Sequence, residues 1–207
     1  MSLAEKLKEL TEQLDGLPKT AMSVMGARGA SMFILDFAVI GALKRTLSLG
    51  HGLVVMVSTE NMTCARAIVR MQIDTVSRML AYTYVTDPEE LAKQVILDGV
   101  ALKKFKSREG KVLTDKYLVD RMTETHSWVR TVYDSTSGEV HFSEKQFFAS
   151  VQSVADADIG GKITMQLGPR DTKYPESSWI EVVACFSDLF DIFSEIVKQY
   201  AESKASV

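Results

Sequence analysis

An all-α bundle of five to seven helices is the fold this sequence predicts, and three observations predict it. Apolar residues recur at spacings of three and four along most of the chain, and the breaks between those runs carry helix-capping residues. One short stretch, 162–167, alternates as a strand would, a β excursion in an otherwise helical chain. Of 207 residues, 46% are hydrophobic and 25% charged, with four prolines and twelve glycines. That is enough apolar material for one sizeable core, so residues 1–207 read as a single helical domain.

Taken in order, Leu3, Leu7, Leu10 and Leu14 form a helical seam that Gly16 and Pro18 close. The seam needs a partner in this chain or another, which makes helix 1–16 a candidate dimerisation or docking arm. Leu17 to Gly29 reads as a connector. A second helix runs from about Ala30 to Val57, with a bend expected at Gly50-His51-Gly52. Its apolar region is interrupted by Asp36, Lys44, Arg45 and His51, short of the run of about 20 apolar residues a bilayer requires. A buried helix is expected there, and no membrane partner.

Ser58-Thr59 caps a third helix from Glu60 to about Val85. Its polar positions Arg66, Arg70, Asp74 and Arg78 follow one another at i, i+4. That stripe is either an exposed, salt-bridged face or one from which Arg70 and Arg78 turn inward as anion-binding groups. Asp87-Pro88-Glu89-Glu90 has the cap, first-turn proline and acidic third position of a helix start. A charged loop, Lys103 to Lys111, precedes Thr114, which caps a long helix stopped by Gly138. Ser143 with Gln146 forms a capping box for a short helix to about Val151, and 153–177 reads as a long loop. Ser178 and Glu181 open the last helix, in which Trp179, Val182, Val183, Phe186, Leu189, Phe190, Phe193, Ile196, Val197 and Tyr200 repeat at threes and fours.

Composition also bounds function. A formal charge of -3 provides no global basic field, so strong sequence-independent duplex binding is excluded, while a local patch for single-stranded RNA or a nucleotide is not. Cys64 and Cys185 fall in apolar helical patterns as small hydrophobes, and no disulfide framework is expected. The first residues, MSLAEKLKELTEQL, lack the apolar centre and cleavage site of a signal peptide, so a cytoplasmic location is expected. No glycine-rich phosphate loop, zinc-ligand spacing or nucleophile elbow is present, and no metal or cofactor is expected.

The chemistry-bearing residues concentrate between Thr114 and Ser143. His126, Arg130 and Asp134 are successive i, i+4 positions with Tyr133 adjacent, and His141 lies two residues before the Ser143 cap, where free amides favour an anion. A histidine base, a permanent cation and a positioning hydroxyl are what metal-independent RNA cleavage requires. The same residues read equally as a solvated helix face and a capping histidine.

Across Ala42 to Phe148 the chain resembles a loose group of bacterial all-helical proteins. They pair a helix of the type ALKRTLSL…RAIVRMQIDTVSRMLA with a Tyr-x3-Ser-Gly-x2-His element, here Tyr133, Ser137, Gly138 and His141. It is also similar to the HEPN superfamily of all-α, dimeric ribonucleases and nucleotide-binding modules of bacterial toxin and phage-defence systems. That superfamily carries an Arg-x4-6-His motif, matched in spacing by Arg121 and His126. The resemblance implies a homodimer acting on RNA. It also implies a bend near this pair, because residues five apart on a straight helix point about 140° from each other. Three readings follow: a HEPN-like endoribonuclease using His141 or His126 with Arg130 or Arg121; a non-catalytic dimerisation or partner-binding module; and a sensor of an anionic small molecule.

Overall fold

The computed structural model describes residues 1–26, 32–141, 151–154, 163–165 and 167–205. Among them are seven α-helices: α1 Leu3–Gly26, α2 Ile34–Ser58, α3 Met62–Tyr84, α4 Pro88–Ile96, α5 Asp115–Thr125, α6 Trp128–Val140 and α7 Glu176–Ala205. The chain is an all-α bundle, as its periodicity predicts. The β excursion is a two-stranded antiparallel pair, β1 Val151–Val154 with β2 Ile163–Met165, so the second strand has a partner that alternation alone did not indicate.

Helix α3 is the hub, packed against α2, α5, α6 and α7, while α1 closes against α2 and α7. Its inward residues, among them Ile68, Val69, Ile73 and Val76, meet Phe186, Leu189 and Phe193 of α7 in the main core. A second cluster, Ala81, Val85, Leu91, Leu113 and Leu118, lies beneath α4 and α5, and Tyr82 packs against both. One polar pair sits inside, where the Gln72 amide donates to the Thr46 hydroxyl at 3.0 Å, and both residues are fully buried.

The expected stop at Gly16 and Pro18 does not occur, because α1 runs through both. A proline inside a helix costs about 3 kcal/mol. The seam continues as Leu17, between the glycine and the proline, and as Val24 beyond both; each is buried, and burying such side chains returns roughly 1.5–3 kcal/mol each. Leu10 and Leu14 are fully buried in the chain's own core. Within this chain the Leu10–Leu14 part of the seam therefore has a partner, the first of the two alternatives its spacing left open.

Helix α2 also runs without a break through the Gly50-His51-Gly52 step. A Cβ at Gly50 would lie 2.4 Å from a terminal methyl of Leu14, so the glycine is where α1 and α2 touch. By length and composition α2 is long and apolar enough to cross a membrane. In this fold it packs against α1, α3 and α4 and buries Asp36 and Thr46 along with its leucines and valines.

Several caps fall where the sequence puts them. Asp87 accepts from the Glu90 amide at 2.9 Å and Thr114 from that of Tyr117 at 3.2 Å. Others do not. The cap of α3 is Asn61, accepting from Cys64 N–H at 2.9 Å, and not Ser58-Thr59. Glu60 before it takes a positive φ of 58°, and Asp171 bonds both the Glu60 carbonyl and the Met62 amide, pinning the loop ahead of α7 to the start of α3. That loop ends earlier than expected, since α7 begins at Glu176. The capping box at Ser143 and Gln146 lies outside the described residues.

The long helix expected from Thr114 to Gly138 is two helices. α5 ends at Thr125 and α6 starts at Trp128, with the His126 carbonyl accepting from Val129 N–H at 3.0 Å. An unbroken helix would carry His126 on the stripe of Val119, Met122 and Val129, all of them buried. The break leaves the imidazole half-buried at a corner instead. α6 then passes Gly138 and ends at Val140.

One buried ion pair ties three segments together. Lys204 Nζ, near the end of α7, lies 2.7 Å from Asp36 Oδ2 and donates to the Val24 carbonyl of α1 at 3.1 Å. The Tyr200 hydroxyl donates to Asp36 Oδ1 at 2.7 Å, and Phe33 N–H to Oδ2 at 2.8 Å. Burial is the largest influence on the Asp36 carboxyl and pushes its pKa up, but the hydrogen bonds from Lys204, Tyr200 and Phe33 together hold it below the usual carboxylate value.

Candidate functional site

The corner between α5 and α6 separates the residues the sequence placed on one face. Because the helix breaks at His126, the expected face of His126, Arg130 and Asp134 does not form; Arg130 and Asp134 alone keep the i, i+4 relation, at 3.8 Å. Arg130 also pairs closely with Asp120 of α5. Arg121 lies 3.0 Å from Glu124 and 3.8 Å from Glu109, with its guanidinium carbon 5.3 Å from the centre of the Tyr84 ring. The guanidinium of Arg121 is thus turned toward carboxylates and an aromatic ring.

Arg70 turns inward. Its side chain is only 13% exposed, it pairs with Asp74, and its guanidinium stacks 3.7 Å above the Tyr133 ring of α6. Arg78 holds both oxygens of Asp115 at the start of α5, at 3.2 and 3.3 Å. His141 is exposed at the end of α6, where its N–H donates to the Ser137 carbonyl at 3.2 Å. Ser143, expected to cap an anion site beside it, lies outside the described residues. The four arginines singled out by sequence are therefore each matched to at least one carboxylate, an arrangement that fixes α3, α5 and α6 relative to one another.

A different cation stands unmatched. Between α2, α3 and the connection from α4 to α5 lies a cleft of about 790 Å³, within the size range of small-molecule sites. Ala38, Gly41 and Ala42 of α2 form one wall, Arg45 and Thr75 sit above it, and Lys103 stands at the connection. A Cβ built at Gly41 would meet nothing within 4 Å, so no packing demand accounts for the glycine and its missing side chain leaves the cleft open.

Thr75, 7% exposed, donates to the Met71 carbonyl at 2.9 Å and accepts from Arg45 Nε at 2.9 Å. That bond orients the guanidinium and leaves the four N–H groups of its outer edge, the fork that matches a carboxylate or phosphate. Among the described residues neither Arg45 nor Lys103 has a carboxylate within ion-pair distance. The acids that line the cleft, Asp74 and Asp115, are occupied by Arg70 and Arg78. The cleft accordingly carries surplus positive charge over an apolar wall.

Of the sequence-predicted residues only Arg78 lines this cleft, and it does so as half of an ion pair. Arg45, Thr75, Gly41 and Lys103 were not singled out. In the sequence Arg45 is visible as a polar interruption of an apolar helix, but that it faces a cleft whose acids are paired elsewhere depends on which helices pack beside it. Among the described residues no group of three or more histidine, cysteine, aspartate or glutamate side chains could hold a metal. Cys185, the less exposed of the two free thiols, has its pKa pushed up to about 11, chiefly by burial, which removes it as a nucleophile near neutrality. Comparison with protein-family models, with curated proteins and with solved structures gives no match for this chain.

Proposed function

We propose that this chain is a helical binding module for a small organic anion, a carboxylate or phosphate monoester, seated in the cleft between α2, α3 and the α4–α5 connection. The observation that carries this reading is Arg45, oriented by Thr75 and without an acid partner among the described residues. Lys103 adds charge at the rim, and the wall of Ala38, Gly41 and Ala42 accepts an apolar or flat body. The roles are recognition and orientation, and no group in the cleft is asked to break a bond.

Titration of the purified protein with butyl phosphate or butyrate tests the reading. Arg45→Gln is expected to weaken binding about tenfold, the lower end for a hydrogen bond to a charged group because Arg45 is exposed. Gly41→Leu, whose side chain would enter open space, is expected to block binding while leaving the fold intact. Wild-type binding that both variants leave unchanged rejects the cleft as the site.

The HEPN-like reading, metal-independent RNA cleavage in a bacterial stress or defence system, draws support from one feature. The chain does turn at His126, with Arg121 and Arg130 on the helices either side. RNA incubated with the protein in EDTA is the direct test: cleavage lost in His126→Ala or His141→Ala would favour it over the binding module.

A further inference from the structure

A second cleft of about 630 Å³ opens at the other end of α4 from the first. Its walls are mostly apolar, with Leu35 and Val39 from α2, Val85 after α3 and Ile196 from α7, and with Tyr200 and Lys204 at one end. The first cleft reaches α4 through Val95 and Ile96, at or beside its C-terminal end; the second reaches it through Pro88 and Glu89, at its first turn. Helix α4 thus packs on α2 and α3 with an opening at each of its ends.

Met79 and Tyr82 line both clefts, so these two side chains stand in the division between them. Methionine is unbranched and adapts its shape readily. The Tyr82 hydroxyl has no hydrogen-bond partner among the described residues, and burial raises its pKa, so no polar network holds that ring in place.

Resting on the reading of Arg45 as the anion-binding group, we infer that the ligand is an amphipathic anion whose apolar tail passes beneath α4, between Met79 and Tyr82, into the second cleft. The head group belongs at Arg45 because that end combines an oriented, acid-free guanidinium with Lys103. The tail belongs in the second cleft because its walls are the more apolar and it adjoins the first directly. The nine residues of α4 span about 13 Å at 1.5 Å per residue, so a short alkyl chain stays in the first cleft and only a long one reaches the second.

The experiment compares butyl phosphate, dodecyl phosphate below its micelle concentration, and dodecanoate, on wild type, Arg45→Gln, Thr86→Trp and Arg108→Gln. Thr86 and Arg108 are exposed and line only the second cleft, so these substitutions spare the core. Each methylene that enters an apolar site is expected to raise affinity about threefold to fourfold. Dodecyl phosphate should therefore bind more than a hundredfold tighter than butyl phosphate. Thr86→Trp should erase most of that gain and leave butyl phosphate unaffected, while Arg45→Gln should weaken both. Dodecanoate binding like dodecyl phosphate would make the head a generic anion, and its failure to bind would make it a phosphate; the inferred tail survives either result.

Equal affinities for butyl and dodecyl phosphate overturn the inference and leave the anion cleft standing. So does a chain-length gain that Thr86→Trp does not reduce. Loss of dodecyl phosphate binding in Arg108→Gln but not in Arg45→Gln would seat the head at the opposite end and overturn it as well. No binding of any probe to wild type rejects both the tail and the cleft.

Discussion

Lys204→Met is expected to lower the unfolding free energy by about 3–5 kcal/mol, measured by urea denaturation near neutral pH. The figure follows from what is left behind: a carboxylate at 0% exposure with the cation that pairs with it removed, the costliest way to break a buried pair. Tyr200 and the Phe33 amide would remain as donors to Asp36, so the loss falls short of that for a bare charge. Replacing Asp36, Lys204 and Tyr200 together by Leu, Met and Phe is expected to recover part of it, because an apolar substitute of similar volume is about neutral against a buried ion pair. Recovery stays incomplete since the Val24 carbonyl and Phe33 amide lose partners.

The same cluster sets a pH window. The folded pKa of Asp36 is depressed, so its contribution is present above its unfolded value of about 4 and is lost as pH falls below that through the folded value. The phenol pKa of Tyr200 is raised, by burial first and then by its bond to Asp36. Its contribution is therefore present below the unfolded value of about 10 and is lost as pH rises beyond it. Urea midpoints should be level between these limits, with Asp36→Asn flattening the acid limb and Tyr200→Phe the alkaline one.

Gly50→Ala is expected to destabilise by about 1–3 kcal/mol, while Gly41→Ala, nine residues earlier on the same helix, should stabilise by about 0.5–1 kcal/mol. At Gly50 the added carbon would meet three side-chain atoms of Leu14 at 2.4, 2.6 and 3.1 Å, and Leu14 is itself fully buried and has nowhere to retreat. At Gly41 the carbon meets nothing within 4 Å, so only the helix-propensity gain remains. Thermal melts of the two variants should shift in opposite directions. A shared direction would mean that the α1–α2 contact is not where Leu14 and Gly50 place it.

The pattern of helices was legible because most of it is local. Pro88 after Asp87, Thr114 ahead of α5, and the apolar stripe of α7 each act within a few residues, and each is seen in the structure. The misread boundaries share a cause. Gly16 and Pro18 are local stops, but Leu17 between them and Val24 beyond them bury in the core that α1 shares with α2 and α7, and that burial outweighs the proline. Gly50 reads locally as a bend, and its role as a contact exists only once Leu14 is opposite.

The candidate site was legible to a smaller degree, for the same reason. The sequence announced the arginines of α3 and of the run from Thr114 to His141, but not that Asp115 would come to stand beside Arg78, Asp120 beside Arg130 and Glu109 beside Arg121. A cation's availability is a property of its neighbours in space, so the sequence drew attention to matched arginines and passed over Arg45.

By itself, then, the sequence determined that this chain is helical, where most of its helices begin, and which side chains form the stripe of α7, because periodicity and caps are encoded within single turns. Only the tertiary structure decided that the focal helix breaks at His126, that the leucine seam is spent inside the bundle, and that Arg45 faces a cleft whose acids are held by other arginines. Each of those outcomes depends on burial against, or charge brought by, residues tens of positions away, and no local pattern carries that information.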